Sequence, residues 1–311
     1  MTMLTLREAA ERLRSFDNVL ILTHIRPDGD TVGSAAALCA GLRALGKTAY
    51  LLPNPGLTDT TAPYFRPYAA WAGFQPEKVV SVDIATTDLF PENAKPYADR
   101  VDLAIDHHPS FEGFGRENYV RPSAAATGEI IYDILAALGP VTAEMALPLY
   151  VAVSTDCGCF AYNNTTAHTH AVAAALLRTG IDVQAVNKTF FRTKSRRRLA
   201  LEADLLGNME FFHEGRGVFM AASRALMERV GATENDAEDL SQLAGIIEGV
   251  DCGAVLRELK PGEWKLSLRT GANGRVNATL ACQRLGGGGH AMAAGATVQG
   301  SLEEVKRRGL E

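Results

Sequence analysis

Val101-Asp102-Leu103-Ala104-Ile105-Asp106-His107-His108 is an apolar run that delivers one carboxylate and two imidazoles to its end. The run reads as a strand, and the polar triplet falls where the chain leaves it. Three further segments of the first half take the same form. Asn18-Val19-Leu20-Ile21-Leu22-Thr23 leads into His24-Ile25-Arg26-Pro27-Asp28-Gly29-Asp30, ahead of a small-residue helical pattern. Val79-Val80-Ser81-Val82 ends in Asp83, and Leu149-Tyr150-Val151-Ala152-Val153-Ser154-Thr155 ends in Asp156. Periodicity does not settle whether that last run is helix or strand. Open α/β sheets bind ligands at the carboxyl ends of their strands, so these segments predict distant His and Asp residues gathered at one edge. A lone strand-end Asp is commonly a helix cap or a turn former. The recurrence is what points to metal ligation.

In these motifs, an HxxPDGD loop, an isolated Asp after a strand, the DHH triplet and a later Asp, the chain resembles the DHH phosphoesterase superfamily. The resemblance implies that His24, Asp28 and Asp83 hold one divalent ion and that Asp30, Asp83, His107 and Asp156 hold the other, with Asp83 bridging. Asp106 is then expected to orient an imidazole, and His108 to contact a phosphate or donate a proton. Four carboxylates against two dications leave the site near neutral, so a phosphate and a hydroxide can enter. Two metals about 3.5 to 4 Å apart can generate the attacking hydroxide and stabilise the leaving oxygen. Imidazole and carboxylate donors suit Mn²⁺, which the resemblance favours, with Co²⁺, Mg²⁺ and Zn²⁺ as alternatives.

Near the end of the chain stands Gly286-Gly287-Gly288-Gly289-His290, followed by Ala291-Met292-Ala293-Ala294-Gly295. Consecutive glycines let backbone amides come close to phosphate oxygens, and a histidine just after them can donate to the same anion. This stretch is similar to the DHH-associated domain that follows the metal domain in the superfamily. Upstream, Trp264-Lys265-Leu266-Ser267-Leu268-Arg269-Thr270 alternates like a strand, placing Ser267 and Arg269 on one face. Asn273-Gly274 reads as a turn and residues 276–285 as a helix. The family counterpart of the Ser-x-Arg strand recognises nucleotide, and Arg can grip a phosphate bidentately or stack on a base.

A length of 311 residues suggests about two domains. Hydrophobic content of 47% with 22% charged residues is that of a soluble globular protein. No apolar stretch approaches the roughly 18 uncharged residues of a membrane span, and the amino terminus lacks a signal core, so a cytoplasmic location is expected. Cys39, Cys157, Cys159, Cys252 and Cys282 are odd in number and scattered, as suits a reducing compartment. Cys157 and Cys159 are too close for a paired zinc motif and read as packed thiols. Asp156-Cys157-Gly158 also departs from the DTG of the superfamily, keeping the ligand but placing a thiol where oxidation could reach it. The formal net charge of -5 argues against a nonspecific binder of long DNA. Short nucleotides held by metals remain open. The exception is a basic run, Lys188, Arg192, Lys194, Arg196, Arg197 and Arg198, which reads as a solvated linker helix or as a positive rim guiding phosphates.

The expected fold is α/β: a metal-binding catalytic domain over residues 1–187 with a mostly parallel sheet, a basic linker helix over 188–208, and a smaller α/β substrate-binding domain over 209–311. Strands fall near 19–23, 48–52, 79–83 and 101–105, then near 217–222, 252–259 and 264–269; helices cover the first sheet at 33–45, 127–138 and 168–179. The active cleft is expected between the domains. This layout most resembles the NrnA-like group of oligoribonucleases (nanoRNases) and 3'-phosphoadenosine 5'-phosphate (pAp) phosphatases. The resemblance implies hydrolysis of short oligoribonucleotides to mononucleotides, of pAp to AMP, or both. A cyclic-di-AMP or pApA phosphodiesterase is the nearest alternative. The GGGGH ending disfavours a family II pyrophosphatase, and the chain is too short for a RecJ-type exonuclease. A noncatalytic nucleotide-binding regulator is disfavoured because all six expected ligand positions are filled. Short oligoribonucleotides or small nucleotides are the expected partners, with no membrane, and a homodimer is compatible with the sequence.

Overall fold

Val19–Leu22 and Leu103–Asp106 are buried along their whole lengths, the pattern of strands covered on both faces in a parallel sheet. The computed structural model describes residues 2–238, 240–270 and 275–310, apart from the side chains of His290 and Leu310. The chain divides into two units, Met1–Thr193 and Lys194–Glu311.

In chain order the first unit runs β1 (Thr2–Met3), α1 (Leu6–Ser15), β2 (Val19–Leu22), α2 (Gly29–Ala44), β3 (Ala49–Leu51), α3 (Ala62–Phe65), β4 (Lys78–Val82), β5 (Leu103–Asp106), β6 (Glu117–Val120), α4 (Thr127–Leu138), α5 (Ala143–Asp156), α6 (Ala167–Leu177) and α7 (Val183–Asn187). The sheet order is β1-β6-β5-β4-β2-β3, and every pairing is parallel. Alternate residues face opposite layers. Val19, Ile21, Val80, Val82, Leu103 and Ile105 join the core that includes Val32 and Leu38 of α2, whereas Leu20, Leu22, Val79 and Ala104 pack with Phe74, Ile84 and Phe90. β3 lies on one side of β2 and β4 on the other. This reversal of strand order opens a crevice at the carboxyl ends of β2 and β4, where doubly wound sheets bind ligands.

The undecided run 149–155 belongs to helix α5. Its stretch from Pro148 to Ser154 is continuously buried, so it carries no polar stripe to betray a helical period. Asp156 therefore arrives on the last turn of a helix, not at a strand end. α2 and α5 touch through backbone: a Cβ at Gly33 would sit 2.2 Å from the Pro148 carbonyl oxygen and 2.8 Å from the Ala152 nitrogen. A glycine is required there if the two helices are to bring Asp30 and Asp156 together.

The second unit runs α8 (Arg196–Gly207), β7 (Glu210–Phe212), β8 (Gly217–Ala222), α9 (Arg224–Val230), β9 (Cys252–Lys260), β10 (Glu263–Thr270), α10 (Ala278–Arg284), β11 (Gly288–His290), β12 (Ala293–Gln299) and α11 (Leu302–Leu310). Its sheet order is β11-β12-β10-β9-β8-β7, antiparallel except for β8 beside β9. Leu201 and Leu205 of α8 cover one face with Val218, Met220 and Val255; Trp264, Leu266 and Leu268 pack on the other with Ala278 and Val305. In the basic run, Lys188–Arg192 forms a π-helical turn, and Lys194, Arg197 and Arg198 are paired with Glu202 or Asp236. The turn expected at Asn273-Gly274 lies outside the described residues. Among the described residues no helix is long and apolar enough to cross a membrane.

Candidate metal centre

The loop after β2 is pinned by Asn54, whose Nδ2 donates to Thr23 Oγ1 at 2.9 Å and to the His24 carbonyl at 2.8 Å. Asp28 then caps α2, its Oδ1 accepting the Thr31 amide at 3.1 Å. Cap and ligand readings of Asp28 are compatible, because a carboxylate oxygen can accept one amide and still face the cleft. Asp30, in the first turn of α2, is buried. Its oxygens accept the Thr127 amide (2.7 Å), the Gly128 amide (2.9 Å) and the Ser34 hydroxyl (2.9 Å). Those two amides belong to the first turn of α4, where backbone donors have no partner within the helix.

Asp83 follows β4 with φ of 61°, a left-handed conformation that is unusual for a non-glycine residue. Its amide is tied to the Ile105 carbonyl at 2.9 Å and its Oδ1 accepts Thr127 Oγ1 at 2.8 Å. The Asp83 carboxylate sits at the middle of the cluster. Oδ2 lies 3.8 Å from His24 Nε2, which is itself 3.6 Å from Asp28; Oδ1 lies 3.7 Å from His107 Nε2 and 3.7 Å from His108 Nδ1. His107 Nε2 also stands 3.9 Å from Asp30 and 3.6 Å from Asp156, while its Nδ1 is 3.2 Å from the Ala124 carbonyl. With the Nδ1 proton donated there, the Nε2 lone pair is left facing the carboxylates.

All six residues expected as ligands thus converge. Three groups have ligand atoms within 4.8 Å of one another: His24 with Asp28 and Asp83, Asp30 with His107 and Asp156, and Asp83 with His107 and His108. Asp106 reaches the second imidazole of the triplet, its Oδ1 lying 2.7 Å from both the amide nitrogen and Nδ1 of His108.

The charges are out of balance without a cation. Burial, and then the charges of Asp30, Asp28 and Asp106, hold the Asp83 pKa well above the carboxylate range. Burial raises Asp30 against the pull of His107, and burial with the charges of Asp30 and Asp28 pushes Asp156 up to about 8. Burial works against a charge on His108, but the hydrogen bond and charge of Asp106 outweigh it and raise its pKa. Among the described residues, no Lys or Arg pairs with Asp28, Asp30, Asp83, Asp106 or Asp156. Clustered, mostly buried carboxylates with imidazoles and no Lys or Arg paired to them form a donor set that fits divalent cations.

In the second unit, Ser267 and Arg269 lie half-buried on the opposite face of β10 from Trp264, Leu266 and Leu268. Arg269 pairs with Ala293, which pairs with His290, and Ser267 pairs with Gly295, which pairs with Gly288, so two rows cross β10, β12 and β11. The glycine run is only partly a loop. Leu285 and Gly286 turn, and after Gly287 the residues Gly288–His290 form the edge strand β11. Gly289 has φ of 142°, and a Cβ there would lie 2.6 Å from the Ala293 carbonyl oxygen. The backbone of His290 is in that strand; its side chain lies outside the described residues. The Arg269 guanidinium has no carboxylate partner among the described residues.

The sequence reading missed Thr127, Gly128, Ser34, Asn54 and the Ala124 carbonyl. Only Thr127-Gly128 carried a signal, as a small polar pair opening a helical pattern.

Residues 18–153 match the DHH family, N-terminal domain, and residues 222–309 match the DHHA1 domain. The chain is 34% identical over 310 residues to the bifunctional oligoribonuclease and PAP phosphatase NrnA of Thermus thermophilus, covering 98% of this chain and 92% of that protein. It is 25% identical over 312 residues to the protein of the same name from Bacillus subtilis, covering 96% and 95%. The crystal structure of an exopolyphosphatase-related protein from Bacteroides fragilis shares the fold, with a TM-score of 0.87 at 22% identity over 97% of this chain and 93% of that one.

Proposed function

The chain belongs to the DHH family, and on that premise we propose that it is a metal-dependent phosphoesterase that hydrolyses short oligoribonucleotides to mononucleotides and pAp to AMP. The observation that carries this reading is the convergence of His24, Asp28, Asp30, Asp83, His107 and Asp156 on one crevice, with no Lys or Arg paired to these carboxylates among the described residues. The NrnA proteins named above, matched over nearly their full lengths, supply the substrate classes.

His24, Asp28 and Asp83 would hold one divalent ion, and Asp30, Asp83, His107 and Asp156 the second, with Mn²⁺ the preferred metal. When bound, two such ions lower the pKa of water and offset charge on the leaving oxygen. The protein's own contribution is positional. His107 is oriented by the Ala124 carbonyl, and Asp83 divides its two oxygens between His24 and the DHH imidazoles. His108, whose Nδ1 lies 2.7 Å from Asp106 Oδ1, would donate a proton to the departing oxygen. Arg269, Ser267, His290 and the glycines 286–289 would bind the nucleotide end away from the scissile phosphate. The five cysteines are free, which suits a cytoplasmic enzyme.

A panel of pAp, pApA, cyclic-di-AMP, pyrophosphate and labelled RNAs of graded length, assayed with Mn²⁺ and with chelator, tests the reading. The expected result is metal-dependent release of mononucleotides, fastest from dimers to pentamers, and turnover of pAp. Undiminished turnover by metal-stripped enzyme would refute the mechanism. Faster processing of long RNA, or internal cuts as first products, would refute the substrate assignment.

A further inference from the structure

We propose that Thr127 is a positioning residue that sets the Asp83 carboxylate in the orientation needed to serve two cations at once. The backbone of Asp83 is anchored by its amide bond to the Ile105 carbonyl, but that bond does not orient the carboxylate. The residue sits in a left-handed conformation at the end of β4, and its carboxylate is free to turn about its last bond unless something holds it. Thr127 is fully buried, and its hydroxyl donates to Asp83 Oδ1 at 2.8 Å. That bond takes one lone pair of Oδ1 and leaves the other toward His107 and His108, each 3.7 Å away, while Oδ2 is turned toward His24. Rotation of the carboxylate would take both oxygens off these directions together.

The same residue reaches the other half of the cluster. Its amide donates to Asp30 Oδ2 at 2.7 Å, and the next amide, of Gly128, donates to Asp30 Oδ1 at 2.9 Å. Three positions earlier, the Ala124 carbonyl fixes His107 at 3.2 Å. Residues 124–128 therefore clip Asp30, Asp83 and His107 to the start of α4. The backbone bonds survive any substitution that keeps the helix; the hydroxyl bond to Asp83 does not, so Thr127 can be tested apart from the rest of the clip.

This inference rests on the reading of Asp83 as a metal ligand, and the test separates the two. Mn²⁺ binding to the full chain is measured by equilibrium dialysis for the wild type, Thr127→Val, Thr127→Ser and Asp83→Ala, with thermal melts of each metal-free protein. Loss of an outer hydrogen bond to a metal ligand typically weakens metal affinity about tenfold to a hundredfold. Thr127→Val is expected to fall in that range, with turnover lost at low Mn²⁺ and regained at high Mn²⁺ while KM for pAp holds. Thr127→Ser restores the hydroxyl and is expected to bind like wild type. Wild-type Mn²⁺ affinity in a folded Thr127→Val overturns the proposal, whereas wild-type affinity in Asp83→Ala overturns the metal reading beneath it. If Thr127→Val does not fold, Thr127→Ala is compared in its place. Failure of both to fold beside a folded Thr127→Ser overturns the proposal by showing that the residue serves stability.

Discussion

Gly33→Ala is expected to damage the proposed metal centre from a position that carries no ligand itself. The new Cβ would sit 2.2 Å from the Pro148 carbonyl oxygen, 2.8 Å from the Ala152 nitrogen and 2.9 Å from the Ala152 Cβ. Two of these neighbours are backbone atoms of α5, so no side chain can swing away, and α2 and α5 must part by about 1 Å to reach ordinary van der Waals separation. Overpacking of this kind costs about 3 kcal/mol at the upper end, and the better helix propensity of Ala returns about 1 kcal/mol, leaving a net loss of about 2 kcal/mol. For a unit of this size that lowers Tm by about 4 to 8 °C. Because Asp30 rides on α2 and Asp156 on α5, the same displacement widens the gap between two carboxylates that flank His107 Nε2 at 3.9 and 3.6 Å. Mn²⁺ affinity should fall together with stability. The control is Gly139→Ala, at an extended φ of 165° with nothing within 4 Å of the added Cβ, which should change Tm little. Calorimetric melts of the metal-free proteins and Mn²⁺ isotherms check both readouts. An unchanged or raised Tm for Gly33→Ala, or lowered stability with unaltered Mn²⁺ affinity, would refute the close-approach reasoning.

Three further outcomes are expected. The Asp156 pKa of about 8 without a cation lies above the ordinary value of 3.8, so the folded metal-free chain binds the extra proton between these limits. Stability from this group is present below about pH 4 and is lost as pH rises toward 8; metal-free Tm should fall over that window, Asp156→Asn should flatten the slope, and added Mn²⁺ should stabilise most at the alkaline end. His108→Asn should lower kcat by about a hundredfold or more with Mn²⁺ stoichiometry intact, and a kcat equal to wild type would remove His108 from proton donation. Arg269→Ala should raise KM for nucleotides by about tenfold or more while sparing a small generic phosphodiester, and equal losses on both substrates would count against the nucleotide-binding role proposed for it.

The strands that carry the site were legible because β2, β4 and β5 are mostly apolar and each leads within two residues into a His or an Asp. What stayed hidden has physical causes. β1 is two residues long, and β6 carries Glu117 and Asn118, so neither shows a strand pattern. α5 is buried over most of its length and offers no amphipathic period. Asn54 and Thr127 act by hydrogen bonds that span 30 or more residues of sequence for Asn54 and 97 for the Thr127 amide to Asp30, and such pairings leave no spacing to read. The glycine run spoke for backbone freedom, but not for the edge strand that half of it forms, because that strand is created by pairing with β12 and not by its own side chains.

The arrangement around Asp30 explains how the fold tolerates so many carboxylates before any cation is present. Asp28 is held by the Thr31 amide, Asp30 by the amides of Thr127 and Gly128, and Asp106 by the His108 amide. Each donor is a backbone group, and those to Asp28 and Asp30 belong to helix amino-terminal turns, where a negative charge is favoured and the amides are otherwise unpaired. Neutral donors satisfy one side of a carboxylate without cancelling its charge. A lysine or arginine in the same place would have made a buried ion pair, stable enough but closed to an incoming dication. The topology makes this solution available, because the strand-order reversal between β2 and β4 leaves a crevice that the starts of α2 and α4 can both border. Charge left uncompensated by the side chains is therefore a property of how the helices begin, and it suits the site to the divalent cations proposed for it.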